Sequence, residues 1–302
     1  MPELPVVAVV GPTAAGKSDL AVSLALALDG ECINADAMQL YRGMDVGTAK
    51  LTEAERRGVP HHLLDVLDVH ETASVAEWQA LAETALEQVL GRGRLPILVG
   101  GSGLYVRAVV DRLDFPGTDP ALRQRLESDL AELGSGVLHE RLAEVDPAAA
   151  ARILPTNGRR VVRALEVVQM TGRPFAGDLA DYTDRRAAVQ VGLEVPREVL
   201  DERIEARVQR MWEGGLVDEV RRLEQRGLRA GLTASRALGY RQVLAHLAGE
   251  CSEEGARAAT VRATRRFARR QLSWFRRDPR VRWLPYDAED LVGEAAALVP
   301  DG

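Results

Sequence analysis

Val6–Val10 is an unbroken apolar, β-branched run, the pattern of a strand buried on both faces of a parallel sheet. Residues 17–28, "KSDLAVSLALAL", then predict a helix, and "ECINA" predicts a second strand. Ser74 followed three residues later by Glu77 is a capping-box signal that opens a helix to about Leu90. "LPILVGG" (Leu95–Gly101) reads as another buried strand, and "SGLYVRAVV" as the helix that returns from it. Strands alternating with helices in this way build an open parallel α/β sheet.

After about Asp114 the pattern becomes helical. "TDPALRQRLESDLAEL" offers Asp119 as an N-cap with Pro120 at the first helical position, and "DPAAAARI" and "GRRVVRALEVVQM" continue in the same period. "VQVGLEV" (Val189–Val195) returns to strand and is closed by Pro196; helices follow to residue 277, then a strand near "VRWLP" and a terminal helix. The expected architecture is an α/β core of residues 1–114 and 189–302, with residues 115–188 as a helical insertion. No repeat or low-complexity tract interrupts it.

Composition narrows the classes. With 302 residues, 46% hydrophobic and 28% charged, the chain can bury a full core as an ordinary globular protein. Its two cysteines, Cys32 and Cys251, are far apart and in no paired motif, which argues against a disulfide framework or a zinc site and for a reducing cytoplasm. The N-terminus lacks the charged region of a signal peptide, and no apolar run approaches the roughly 18 residues that a membrane span needs.

A net charge of −6 gives no general attraction to nucleic acid. Locally the balance reverses. "RAATVRATRRFARRQLSWFRRDPR" (257–280) holds nine arginines against one acid, Asp278. Such a segment either attracts a polyanion or is a solvated helix face, and charge alone leaves both open. The chain has only two lysines, Lys17 and Lys50. A lysine retained at Lys17 is therefore informative.

Lys17 ends the run Gly11-Pro12-Thr13-Ala14-Ala15-Gly16-Lys17-Ser18, a complete G-x-x-x-x-G-K-[ST] phosphate-binding loop after an apolar strand and at a helix start. Backbone N–H groups and the helix dipole favour a phosphate there, Lys17 would neutralise it, and the Ser18 hydroxyl would hold Mg²⁺. The expected core is thus P-loop NTPase-like. The accessories of an NTPase are weak, however: "LPILVGGS" ends without a Walker-B acid, Asp65 in "HHLLDVLD" has no forced role, and no N-K-x-D motif occurs. A small-molecule kinase stays open at this point, as does an RNA-binding protein with a relic P-loop. His61 and His62 have no cysteine or carboxylate at metal spacing and read as structural or peripheral.

Seven motifs in register extend the reading: "GPTAAGKS", "INADAMQLYRGMDVGTAK", "PHHLLD", "LVGGSGLY", "GRRVVRALEV", "ALGYRQ" and "RRFARRQLSWFR". Together, from about Val7 to Trp283, they resemble the bacterial tRNA dimethylallyltransferases, also called tRNA isopentenyltransferases. The resemblance implies transfer of a dimethylallyl group from dimethylallyl diphosphate to N6 of the adenosine immediately 3′ of the anticodon, in tRNAs reading UNN codons. It implies that the P-loop holds the donor's diphosphate with Mg²⁺, that Asp36 receives the proton of the adenine amine, and that Ser102 and Arg207 meet the leaving group. For tRNA it implies contacts from Asp36, Ala37, Met38, Gln39, Ser102, Arg123, the run Arg159, Arg160, Val161, Val162 and Arg163, and Arg236, Gly239, Tyr240 and Arg241, with the target base flipped out of its stack. The expected protein is a cytoplasmic monomer that binds the tRNA anticodon stem-loop and no membrane. Three departures stand out: Ala37 where the family commonly has serine, Ser102 where threonine is usual, and no C-terminal Cys/His zinc-finger pattern.

Overall fold

The computed structural model describes residues 4–113, 115–175 and 182–300. In chain order the elements are β1 (Val6–Val10), α1 (Lys17–Ala27), β2 (Gly30–Asn34), α2 (Glu53–Arg56), β3 (His61–His62), α3 (Val75–Gly91), β4 (Leu95–Val99) and α4 (Gly103–Val110). These are followed by α5 (Pro120–Val145), α6 (Pro147–Arg152), α7 (Gly158–Thr171), β5 (Ala188–Glu194), α8 (Arg197–Glu213) and α9 (Leu216–Gln225). The chain continues through α10 (Tyr240–Leu247), α11 (Glu253–Phe275), β6 (Val281–Pro285) and α12 (Leu291–Ala296). They form two compact units, Met1–Leu113 with Asp184–Gly302, and Asp114–Thr183.

The first unit is an α/β layer structure. Its sheet runs β3-β2-β4-β1-β5-β6 with every neighbouring pair parallel. β1 lies inside the sheet and is buried along its whole length, which is why it needs a continuous β-branched run rather than alternation. Val7, Val9, Leu20, Leu24, Ile97, Val191, Leu193 and Ile204 fill one core around α1. A second core gathers Tyr41, Met44, Leu216, Val220, Leu223, Tyr240 and Val243. Parallel strands put all their carboxyl ends on one edge. The loops after β1, β2 and β4 therefore open together, where open α/β sheets bind ligands.

His61 and His62 form the short edge strand, paired with Cys32 and Ile33 of β2. His62 does have a carboxylate partner: its Nε2 lies 2.6 Å from Glu31 Oε2, which Arg92 also holds at 2.6 Å. Among the described residues no group of His, Cys, Asp or Glu could hold a metal ion. Both cysteines are free, and burial pushes the Cys32 thiol up to about 12, so it stays protonated.

The second unit is helical. Asp119 caps α5 by accepting the N–H groups of Ala121 and Leu122. Gly134, at φ 83° and ψ 165°, breaks α5 into two helical pieces across a kink, a conformation that glycine adopts without strain. Leu126, Leu138, Leu142, Val161, Val162 and Leu165 form its core.

Candidate active site

The loop after β1 turns sharply through positive φ at Gly11 (132°), Ala14 (65°) and Gly16 (103°). α1 begins at Lys17 with no side-chain cap, so its first amides have no capping oxygen and face the loop as anion donors. Lys17 Nζ donates to Pro12 O at 2.7 Å, which folds the ammonium back over the loop. Burial lowers Lys17 to about 8, with Arg207 adding to the effect and Asp36 opposing it. Arg207 is likewise lowered by burial, opposed by Asp36. Three chain segments thus meet: the P-loop, the end of β2 and α8.

Asp36 sits two residues past β2. Asn34 frames it, with Oδ1 accepting the Asp36 N–H at 2.9 Å and Nδ2 donating to Asp36 O and Leu63 O at 3.0 Å each. Asp36 Oδ1 accepts the Met38 N–H at 2.9 Å. Asp36 is therefore a turn cap through one oxygen, and the described hydrogen bonds leave its other oxygen unused. Trp78 supports this turn from behind: its indole N–H donates to Asn34 O at 3.2 Å and its ring stacks on Tyr105 at 4.5 Å. Burial raises Tyr105, and the nearby charge of Asp36 contributes.

Ser102 precedes α4 in the loop after β4. Its Oγ accepts the Ala37 N–H at 3.4 Å, so the hydroxyl lies beside the residue where the resemblance led us to expect a serine. From α8, Arg203 Nη1 donates to Ala15 O at 3.4 Å while its guanidinium stacks on Tyr286. One turn on, Arg207 Nη2 donates to Thr48 O at 3.0 Å. Neither is a loose surface charge.

Thr48 O also accepts from Gln39 Nε2 at 3.3 Å, and the loop that presents it is held by Lys50, by Tyr240 and by Glu219, a residue that motif reading did not single out. Buried Glu219 of α9 accepts the N–H groups of Asp45, Val46 and Gly47 at 3.1, 2.8 and 3.1 Å, and the Tyr240 hydroxyl at 2.6 Å. Lys50, its side chain 3% exposed, donates to Tyr41 O at 3.0 Å and to Asp45 and Asp65 at 2.7 and 2.6 Å. A Cβ on Gly47 would come within 2.5 Å of the Tyr240 ring, so the glycine of "MDVG" and the tyrosine of "ALGY" are one packing contact. Gln271 of α11 was also missed; its Oε1 accepts the Thr13 N–H and its Nε2 donates to Gly101 O, each at 2.9 Å.

The residues expected to touch tRNA separate by burial. Arg236 and Arg241 are exposed, whereas Gly239 and Tyr240 are buried; Tyr240 supports a loop and has no side-chain surface for RNA. In the helical unit Arg159 and Arg160 are exposed. Val161 and Val162 are core residues at 0% and 1% exposure, because "RRVVR" on a helix points its valines inward. Arg123 and Arg163 both bond the fully buried Glu166, at 2.5 and 2.6 Å, and Arg163 also donates to Pro116 O and Gly117 O. These two arginines neutralise a buried acid, and any ligand contact comes in addition. Arg262, Arg266 and Arg269 of α11, and Arg277 just past its end, are exposed and make no ion pair among the described residues.

The loop after β1, Asp36 past the end of β2 and Arg207 of α8, the latter two both coupled electrostatically to Lys17, form one charged cluster on a P-loop-like α/β sheet. The family model for IPP transferase matches residues 39–278. A tRNA dimethylallyltransferase of Thermobifida fusca is 66% identical over 97% of this chain and 94% of its own. Among solved structures, the full-length tRNA isopentenylpyrophosphate transferase of Bacillus halodurans is 43% identical, with a TM-score of 0.71 over 97% of this chain and 94% of that one. A eukaryotic dimethylallyltransferase acting on tRNA superposes with a TM-score of 0.82 at 26% identity, over 98% and 78% of the two chains. The chain belongs to the IPP transferase family.

Proposed function

We propose that the protein transfers the dimethylallyl group of dimethylallyl diphosphate to N6 of the adenosine immediately 3′ of the anticodon in tRNAs reading UNN codons, releasing diphosphate. The observation that carries this reading is the convergence of Lys17 and Arg207 with Asp36 at one strand edge. In the reaction the bond from the dimethylallyl C1 to the diphosphate oxygen breaks, a bond from C1 to N6 forms, and the N6 proton passes to the unbonded oxygen of Asp36. Diphosphate leaves with added negative charge, which Lys17, Arg207, the P-loop amides and the Ser102 hydroxyl stabilise.

The Ser18 hydroxyl, at the start of α1, is a hard oxygen that would hold Mg²⁺. When bound it would neutralise diphosphate charge. For RNA, the exposed Arg159, Arg160, Arg236 and Arg241 and the free arginines of α11 supply phosphate contacts, so affinity falls as salt rises. The reading makes the protein a monomer acting in the cytoplasm, and no helix of the described residues is long and apolar enough to cross a membrane. A small-molecule kinase is disfavoured by the family and by the glycine-rich end of β4, which carries no acid.

The test is mass spectrometry of nucleosides from tRNA incubated with the protein, Mg²⁺ and dimethylallyl diphosphate. N6-dimethylallyladenosine with stoichiometric diphosphate is expected; ATP consumption without a modified nucleoside would overturn the reading.

A further inference from the structure

We infer that Gln271 is a positioning residue of this reaction, through which α11 holds the P-loop and the Ser102 loop at one separation. Its side-chain amide is buried and both ends are spent on backbone: Oε1 on the Thr13 N–H and Nε2 on Gly101 O. Thr13 belongs to the loop that would cradle the diphosphate, and Gly101 adjoins Ser102. An amide offers an acceptor and a donor side by side at every pH; methionine offers no donor and ionised glutamate only acceptors.

The packing around this clamp is close enough to demand glycine. A Cβ at Gly101 would stand 2.1 Å from Gln271 Nε2, and one at Gly103 would stand 2.1 Å from Trp274 Nε1. Gln271 and Trp274 are about one helical turn apart, so α11 lies directly on the backbone of the Ser102 loop. The same helix carries Arg266, Arg269 and Arg270, which with Arg277 just past its end line a cavity of about 470 Å³. RNA phosphate bound there and the donor loops would share one rigid element. The inference rests on the proposed reaction, because the separation that Gln271 sets is between the donor's diphosphate and the hydroxyl that meets it.

Gln271→Met keeps the length and removes both bonds, and Gln271→Glu keeps only the acceptor for Thr13. With tRNA, Mg²⁺ and dimethylallyl diphosphate at saturation, kcat of the methionine variant should fall about 10- to 100-fold, the scale of a misplacement near 1 Å. Its KM for tRNA should stay near wild type, while its thermal midpoint falls because the Thr13 N–H and Gly101 O lose their partner, so kcat is read well below that transition. Hydrogen exchange reads the two arms separately: the Thr13 amide should lose protection in the methionine variant and keep it in the glutamate variant, while both lose kcat. Wild-type kcat in the methionine variant, or Thr13 exchange unaltered in it, overturns the inference. If the wild-type protein itself forms no prenylated nucleoside, the functional reading falls, and the exchange data alone then decide whether the clamp exists.

Discussion

Glu219→Gln isolates the buried carboxylate that organises the loop at 45–48. In the folded protein its Oε2 accepts two N–H groups, from Asp45 and Val46, while Oε1 accepts one N–H, from Gly47, and the Tyr240 hydroxyl. A glutamine fits the same space with one oxygen only. The cheaper orientation keeps that oxygen at the Asp45 and Val46 side and turns the NH₂ toward Gly47 and Tyr240, whose hydroxyl can rotate to accept from it. The Gly47 N–H then loses its acceptor inside the protein, a cost of about 1–3 kcal/mol. The other two donors exchange a charged acceptor for a neutral one, at roughly 0.5–1 kcal/mol each. The expected loss is therefore about 2–5 kcal/mol, a large part of the 5–15 kcal/mol typical of a native protein. Urea unfolding followed by circular dichroism should show a lower midpoint at an unchanged m-value. Below the transition, turnover should also drop, because Thr48 O is the shared acceptor of Arg207 and Gln39. A stability change under about 1 kcal/mol, within the net worth of a single ordinary hydrogen bond, would refute the assignment of Glu219 as the loop's acceptor.

Asp36→Asn keeps an oxygen for the Met38 N–H and removes the base; kcat should fall about 10²- to 10⁴-fold with tRNA affinity intact in a filter-binding assay, and unchanged turnover removes Asp36 from proton transfer. Donor binding needs charged Lys17, and because its pKa in the free protein is lowered to about 8, donor KM should climb as pH passes 8, by about tenfold per unit well above it. The sign is fixed by the lowered value: below pH 8 the charge is already in place, above it a proton must be taken up. In Lys17→Met the step in the KM profile should vanish, and a step of equal size in that variant would assign the titration elsewhere. Gly103→Ala places a methyl against Trp274 and should lower stability by about 1–3 kcal/mol, read as a drop in the thermal midpoint; no drop would mean that α11 is not seated on that backbone.

Much of the α/β core was legible because its signals are local. The run at Val6–Val10, the Ser74–Glu77 cap and the Asp119–Pro120 helix start each state a backbone preference within a few residues, and each element is where its pattern puts it. The two-residue edge strand at His61–His62 was not legible, since two residues carry no period. The site divides the same way. A phosphate loop announces itself in eight consecutive letters, but the direction of a side chain does not. Tyr240, Val161 and Val162 lie in motifs that point toward RNA, yet they face cores, and for the valines the signal was available in the apolar period that Ala164, Leu165 and Val167 continue along α7. Glu219 and Gln271 could not be found from the sequence, because their partners lie 172 to 174 and 258 positions away.

That last separation governs when the site can exist during synthesis. The P-loop is made well before its partner: its Thr13 amide waits for Gln271, 258 residues later. At about 5–20 residues per second, the ribosome needs roughly 13–50 s to deliver that partner. β5, which flanks β1 in the sheet, also arrives late, after the entire helical unit has been made. A nascent or truncated chain therefore carries the phosphate-loop letters without a seated loop. Premature termination anywhere before α11 should yield protein with no partial activity.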